Sequence, residues 1–250
     1  MSLPIKEKLA RGEVVTMINP DHPSPSHVEF IGGLGFDAVF IDCEHGMAGI
    51  ERVQDMCRAA RVAGAAAIVR PDANEPWLIT RYLDAGANGV MVPHIHTADA
   101  ARELVQAVRY ARHADHGSKL VVAMVESTQA LANLPDILGV DGIDVFFVGP
   151  GDLSNTLGMP GQRFHPKVRE LVMQAALRIV EAGKVAGTLV KRENAADYVQ
   201  GGFRFLYEHA NAFLAEGAQN FKNAALYEDT SPAAVGEAAA RRDGTALRKP

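Results

Sequence analysis

With 250 residues, 48% of them hydrophobic, the chain is long enough to bury one large core. A net charge of −5 with scattered basic residues argues against nucleic-acid binding and against electrostatic attachment to a membrane. No apolar run approaches the roughly 18 residues of a membrane span. The N-terminal stretch MSLPIKEKLARGE lacks the apolar centre of a secretory signal, and Cys43 and Cys57 match no zinc or redox spacing, so a cytoplasmic protein with reduced thiols is expected.

The dominant pattern is a short, nearly continuous apolar run followed by a longer amphipathic stretch. The runs predict strands at 14–19, 38–42, 66–70, 89–93, 121–126, 145–149, 186–190 and 203–208. Continuous apolarity over such lengths is what parallel strands buried on both faces require. Between them, 50–63, 97–110 and 165–182 predict helices. In the second of these, Ala101, Leu104, Val105 and Val108 share one face, and Gly64 and Gly183 mark the ends of the first and third. Eight β/α units in this length predict an α/β fold, a single (β/α)8 TIM barrel over residues 1–226 with a C-terminal helical extension. A doubly wound open sheet is the alternative, yet no G-x-G-x-x-G follows the first strand. From Tyr227 the composition turns to Ala, Arg, Gly and Pro, and 227–250 is expected to be a tail or an arm that orders on a neighbouring subunit.

In such a barrel the functional residues stand at the C-terminal ends of the strands. Strand two ends at Asp42, followed by Cys43, Glu44 and His45; strand three ends at Arg70, strand four at Pro93 and His94. Strand five ends at Glu126 and strand six at Gly149-Pro150-Gly151-Asp152. Glu126 and Asp152 suit Mg²⁺ or Mn²⁺, hard cations that keep positions open for water and substrate oxygens; alternatively they are unrelated loop acids. The G-P-G-D glycines permit close backbone approach, and the amides there suit an anion such as a 2-oxo acid carboxylate, although Gly-Pro-Gly is also an ordinary turn.

Arg70 closes a buried run, where a guanidinium needs an anion. That anion is either Glu44 or Asp42 in a structural network, or a ketone oxygen on which enolate charge develops. Asp42, three residues before His45, is placed to orient the imidazole as a base; the plainer reading makes His45 a hydrogen-bonding loop residue. His94 and His96 read as loop or supporting residues. The roles of Glu208 and His209 at the eighth tip stay open.

Five segments, F-D-A-V-F-I-D-C-E-H-G, A-A-I-V-R-P, L-D-A-G-A-N-G-V-M-V-P, A-M-V-E-S and F-V-G-P-G-D-L-S, stand in this order across roughly residues 5–215. Together they resemble the HpcH/HpaI family of class II, metal-dependent pyruvate aldolases. The resemblance implies a (β/α)8 barrel assembled as a homohexamer, a dimer of trimers exchanging a C-terminal helix. It implies that Glu126 and Asp152 ligate Mg²⁺, Mn²⁺ or Co²⁺ and that His45, paired with Asp42, is the base. Arg70 would hold the keto or enolate oxygen, and backbone amides beyond Pro150, at Gly151 and Asp152, the carboxylate.

The implied reaction is reversible cleavage of a 4-hydroxy-2-oxo acid to pyruvate, or a related 2-oxo acid, and an aldehyde through a metal-bound enolate. The base removes the C4 hydroxyl proton and the C3–C4 bond breaks. The alternatives are a related enolate-forming lyase or decarboxylase, such as one acting on oxaloacetate, and a non-catalytic barrel that would need no base. Two departures bear on specificity. Met124 stands where relatives commonly carry Gln, and the connection at 111–118 is short where many carry a long covering loop, leaving the aldehyde end of the pocket either more open or closed by other residues such as His113 or His116.

Overall fold

In the computed structural model, residues 4–227 are described, so the expected tail at 228–250 lies outside the described residues. The strands are β1 Val15–Asn19, β2 Ala38–Asp42, β3 Ala66–Arg70, β4 Gly89–Val92, β5 Leu120–Val125, β6 Val145–Val148, β7 Ala186–Leu189 and β8 Phe205–His209. They pair in parallel in chain order, and β8 returns to β1, closing an eight-stranded barrel as expected. The helices are α1 Pro4–Ala10, α2 Pro25–Gly32, α3 Ile50–Val62, α4 Pro76–Asp84, α5 Ala98–Ala111, α6 Thr128–Ala132 and α7 Leu134–Leu138. They continue with α8 Pro150–Thr156, α9 Pro166–Glu181, α10 Ala195–Gln200 and α11 Ala210–Tyr227. No helix among the described residues is long and apolar enough to cross a membrane.

Side chains alternate across each strand, so the continuous apolar runs fill two separate cores. Met17, Phe40, Met91, Val122, Met124, Phe147 and Phe205 point inward and pack together inside the barrel. Their neighbours Ile18, Val39, Val69, Val90, Val121, Ala123 and Phe146 point outward under the helices. Burying each large side chain of this kind contributes about 1.5–3 kcal/mol. Hydroxyl caps set helix starts: Thr97 Oγ1 accepts from Ala100 N at 3.2 Å, and Ser127 Oγ from Ala130 N at 3.0 Å.

The N-terminal end of the barrel is closed by α1. Its Ile5 and Leu9 join the interior core, and Lys6 and Lys8 pair with Asp144 and Asp37 at 3.0 and 2.7 Å. Those two acids stand immediately before β6 and β2, and Asn88 stands immediately before β4. Each of the three side chains accepts from a backbone N–H of the preceding strand: Asp37 from Thr16 at 2.8 Å, Asn88 from Ala67 at 2.9 Å, Asp144 from Val121 at 2.8 Å. Even-numbered strands are thereby tied to odd-numbered neighbours by short polar side chains. The connection at 111–118 belongs to this end, because Lys6 Nζ also donates to the Gly117 carbonyl at 3.0 Å. His113 and His116 therefore lie at the end opposite the strand tips, and the expectation that they close the pocket is corrected within this chain.

Residues through Ala210 form one compact unit, and the described residues from Asn211 onward belong to a second. Along α11 the side chains of Phe213, Leu214 and Phe221 are exposed.

Candidate active site

At the C-terminal ends of the strands a cavity of about 450 Å³ opens, floored by Phe40, Met91, Met124 and Phe147. Asp42, His45, Arg70, Glu126, Gly149, Pro150, Gly151 and Asp152 all line it, so the residues singled out from strand ends are brought to one place. Met124, 3% exposed, is part of the apolar floor.

Register sets Asp42 beside Arg70 on neighbouring strands. Arg70 Nε and Nη2 donate to the two Asp42 carboxylate oxygens at 2.9 and 2.7 Å, the fork geometry that makes such pairs strong. Burial alone would raise the Asp42 pKa, but the Arg70 hydrogen bonds and charge, with the amides of His45 and Glu44, hold it below the usual carboxylate value. Burial likewise opposes the charge on Arg70, and Asp42 and Glu44 outweigh it. Glu44 Oε2 lies 2.9 Å from Arg70 Nη1 without forming a hydrogen bond and is otherwise buried and unsatisfied. The guanidinium sits 5.5 Å from the centroid of the Phe40 ring. Arg70 thus has both of the acidic partners weighed for it and still faces the cavity.

This corrects the pairing of Asp42 with His45. The Asp42 carboxylate is filled by Arg70 and meets His45 only through the backbone, accepting its N–H at 3.3 Å. The His45 ring is 68% exposed, and its nearest acid is Glu44, with Nε2 3.9 Å from Oε2.

Glu126 stands one residue past the end of β5 and is 1% exposed. Burial pushes its carboxyl up to about 7, against the His94 amide that favours the charged form; the nearby charges of Asp152 and Glu44 push the same way as burial. A Cβ on Gly149 would come within 2.7 Å of Glu126 Oε2 and 2.9 Å of its Cβ, so only glycine lets this carboxylate stand where it does. The G-P-G-D segment is the start of a helix rather than a loop. Pro150 opens α8, and Asp152 sits in its first turn, accepting from Asn155 Nδ2 at 3.0 Å. First-turn amides such as those of Gly151 and Asp152 have no intrahelical acceptor.

His94 does more than its sequence context suggested. Its backbone is left-handed, with φ of 59°, and its N–H donates to Glu126 Oε1 at 2.7 Å. Its ring Nε2 lies 2.9 Å from Glu44 Oε1, so the residue bridges the acids of the second and fifth strand tips. His96 turns away to Ser127 Oγ at 2.9 Å and takes a structural place. At the β8 tip, Glu208 has a pKa raised by burial and accepts the His209 N–H at 2.8 Å.

Sequence reasoning singled out His209 without a role and missed its partners Asn19, Asp21 and Tyr207 on the β1 and β8 tips. Register pairs Asn19 with His209, and Asp21, the other non-glycine residue of left-handed φ among the described residues, reaches His209. Tyr207 and His209 both line the cavity. The available signal was Asn19-Pro20-Asp21, a turn-forming triplet at a strand end, whose partner lies far along the chain.

A closed parallel barrel whose C-terminal mouth gathers carboxylates, a paired arginine and histidines is the arrangement of a (β/α)8 enzyme. Residues 21–213 match the HpcH/HpaI aldolase/citrate lyase family. The chain belongs to that family and is an enzyme of the carbon–carbon lyase class. It is 32% identical over 207 residues to a hydroxypyruvate/pyruvate aldolase of Roseobacter denitrificans, covering 74% of this chain and 81% of that protein. It is 35% identical over 191 residues to a 4-hydroxy-2-oxo-heptane-1,7-dioate aldolase of Shigella sonnei, covering 67% and 73%. A crystal structure of a family member from Burkholderia cenocepacia superposes with a TM-score of 0.80 at 27% identity, covering 92% of this chain and all of that one.

Proposed function

We propose that the protein catalyses reversible aldol cleavage of a 4-hydroxy-2-oxo acid to a 2-oxo acid of the pyruvate class and an aldehyde, with a divalent cation as cofactor. The observation that carries this reading is the surplus of acid at the mouth. Asp42 and Glu44 already pair with Arg70, while Glu126 and Asp152 stand at the same mouth close enough to act on one another. The donor set is hard oxygen, which fits Mg²⁺, Mn²⁺ or Co²⁺. The glycine cradle around Glu126 supports a cation there. Among the described residues no three His, Cys, Asp or Glu side chains converge as a metal cluster. Glu126 and Asp152 would therefore hold the ion, leaving the rest of its shell to water and substrate oxygens. Once bound, it supplies electrophilic stabilisation of the oxygen on which enolate charge develops.

Arg70, fixed by Asp42, retains N–H groups beyond that pairing and donates to the same keto oxygen. The first-turn amides of Gly151 and Asp152 donate to the substrate carboxylate, and Pro150, with no N–H of its own, sets the helix start. The apolar floor under Met124 and Phe147 excludes water from the methyl side of the oxo acid. His45, at the lip, is the base for the carbon next to the keto group.

The test is incubation of the protein with Mg²⁺ or Mn²⁺, pyruvate and a panel of aldehydes, with and without EDTA. A hydroxy-oxo acid product that disappears with EDTA is expected. Activity that survives chelation refutes the reading, and release of CO₂ from oxaloacetate with no aldehyde-dependent product would favour a decarboxylase. Gly149→Ala is a sharper probe: forcing Glu126 aside is expected to cost about 1–3 kcal/mol of stability and to weaken Mn²⁺ binding in calorimetry. Unchanged affinity would remove the cradle from the argument.

A further inference from the structure

We propose that Asp21, His209 and Tyr207 form a second acid–base relay, which handles the proton on the aldehyde-side oxygen of the substrate. The inference rests on the aldolase reading above and gives the C4 hydroxyl proton to a different group from the carbon proton assigned to His45. Asp21 Oδ1 lies 2.5 Å from His209 Nδ1, and the His209 Nε2 lies 3.1 Å from the Tyr207 hydroxyl. That hydroxyl also accepts from Asn19 Nδ2 at 3.0 Å. A carboxylate on Nδ1 fixes the tautomer, leaving the Nε2 lone pair to accept. The order carboxylate, imidazole, hydroxyl is the logic by which a third group orients a base.

Three features set this cluster apart from an incidental surface pair. Asp21 and His209 are mostly buried, with side chains 12% and 29% exposed. The Asp21 backbone is held at φ 61°, with its N–H on Asn19 Oδ1 at 2.8 Å, and strained backbone of this kind persists where the surroundings over-determine it. Both Tyr207 and His209 line the cavity that Glu126, Asp152 and Arg70 line. Those three belong to the arc of strands three to six, while the relay belongs to β8 and β1 across the barrel. A 2-oxo acid anchored on the first arc projects its C4 end towards the second.

In cleavage, the Tyr207 oxygen accepts the C4 hydroxyl proton as its own proton passes to His209 Nε2, the C4–O bond becomes a carbonyl, and the C3–C4 bond breaks with its electron pair passing to C3. The resulting enolate takes a proton at C3 from protonated His45, giving the 2-oxo acid. Condensation reverses each step: His45 removes the C3 proton, and the Tyr207 hydroxyl protonates the new alkoxide as protonated His209 returns a proton to Tyr207. Asp21, which acts through the imidazole, serves as a positioning residue.

The roles are separated by two assays on the Mg²⁺- or Mn²⁺-loaded full-length protein. Exchange of the pyruvate methyl protons in D₂O reads the first base, and cleavage of a 4-hydroxy-2-oxo acid reads both. His209→Asn is expected to lower cleavage about 10²-fold while methyl exchange falls by no more than a few-fold; Asp21→Asn shifts the ratio in the same direction. A ¹⁵N-histidine spectrum is expected to show a low-field Nδ1 proton for His209 that vanishes in Asp21→Asn. Cleavage unchanged in His209→Asn, cleavage and exchange falling together, or absence of that resonance from the wild type overturns the relay. Wild-type protein silent in both assays would instead overturn the aldolase reading on which the relay rests.

Discussion

Glu126→Gln is expected to reduce divalent-cation affinity by at least about 10²-fold and to abolish measurable cleavage. The substitution keeps the shape and an acceptor for the His94 N–H, so it isolates the charge. Electrophilic help from a cation is worth several kcal/mol, and each 1.36 kcal/mol is tenfold in rate, which sets a loss of roughly 10²–10³. Burial is the other side of the comparison. A carboxyl that is 1% exposed and pushed up to about 7 is an awkward charge to keep in the metal-free protein. The neutral amide should therefore leave the metal-free variant at least as stable to heat as the wild type. Calorimetric titration with Mn²⁺ and a thermal melt together decide the matter. Tight binding in Glu126→Gln would remove this residue as a ligand, and a lower Tm would mean that its charge is structurally required.

Arg70→Met is expected to fail in stability first. Its guanidinium answers two carboxylates with side chains only 13% and 9% exposed, so its loss leaves two buried acids facing one another. Breaking a buried pair costs about 3–5 kcal/mol, and in a chain of this size that lowers Tm by roughly 6–20 °C. Adding Asp42→Asn to Arg70→Met should recover part of the loss by removing one orphaned charge, and cleavage should stay lost because the keto oxygen has no donor. A double variant no more stable than the single one would contradict the account of Asp42 as the guanidinium's partner.

The barrel was legible because continuous apolar runs at regular intervals have few other uses. All eight runs became strands, with ends shifted by at most a residue or two. The tips were legible for the same reason: a charged residue closing an apolar run has nowhere else to go. Pairing was not legible. Asp42 and Arg70 meet because of strand register, and Asp42 and His45 fail to meet because the guanidinium occupies both carboxylate oxygens. Sequence proximity favoured the wrong partner. The backbone of His94 and the reach of Asp21 to His209 depend on closure between elements far apart in the chain, which no local pattern records. Gly149-Pro150-Gly151 read as an anion-binding segment or an ordinary turn, and Pro150 in fact opens a helix.

The ties made by Asp37, Asn88 and Asp144 lie at the end of the barrel away from the chemistry. Each braces an even-numbered strand against its odd-numbered predecessor without involving a residue of the rim. Side chains of the rim can therefore change without loosening these three ties. The bracing of the strands and the chemistry of the mouth are thus written at opposite ends of the same cylinder.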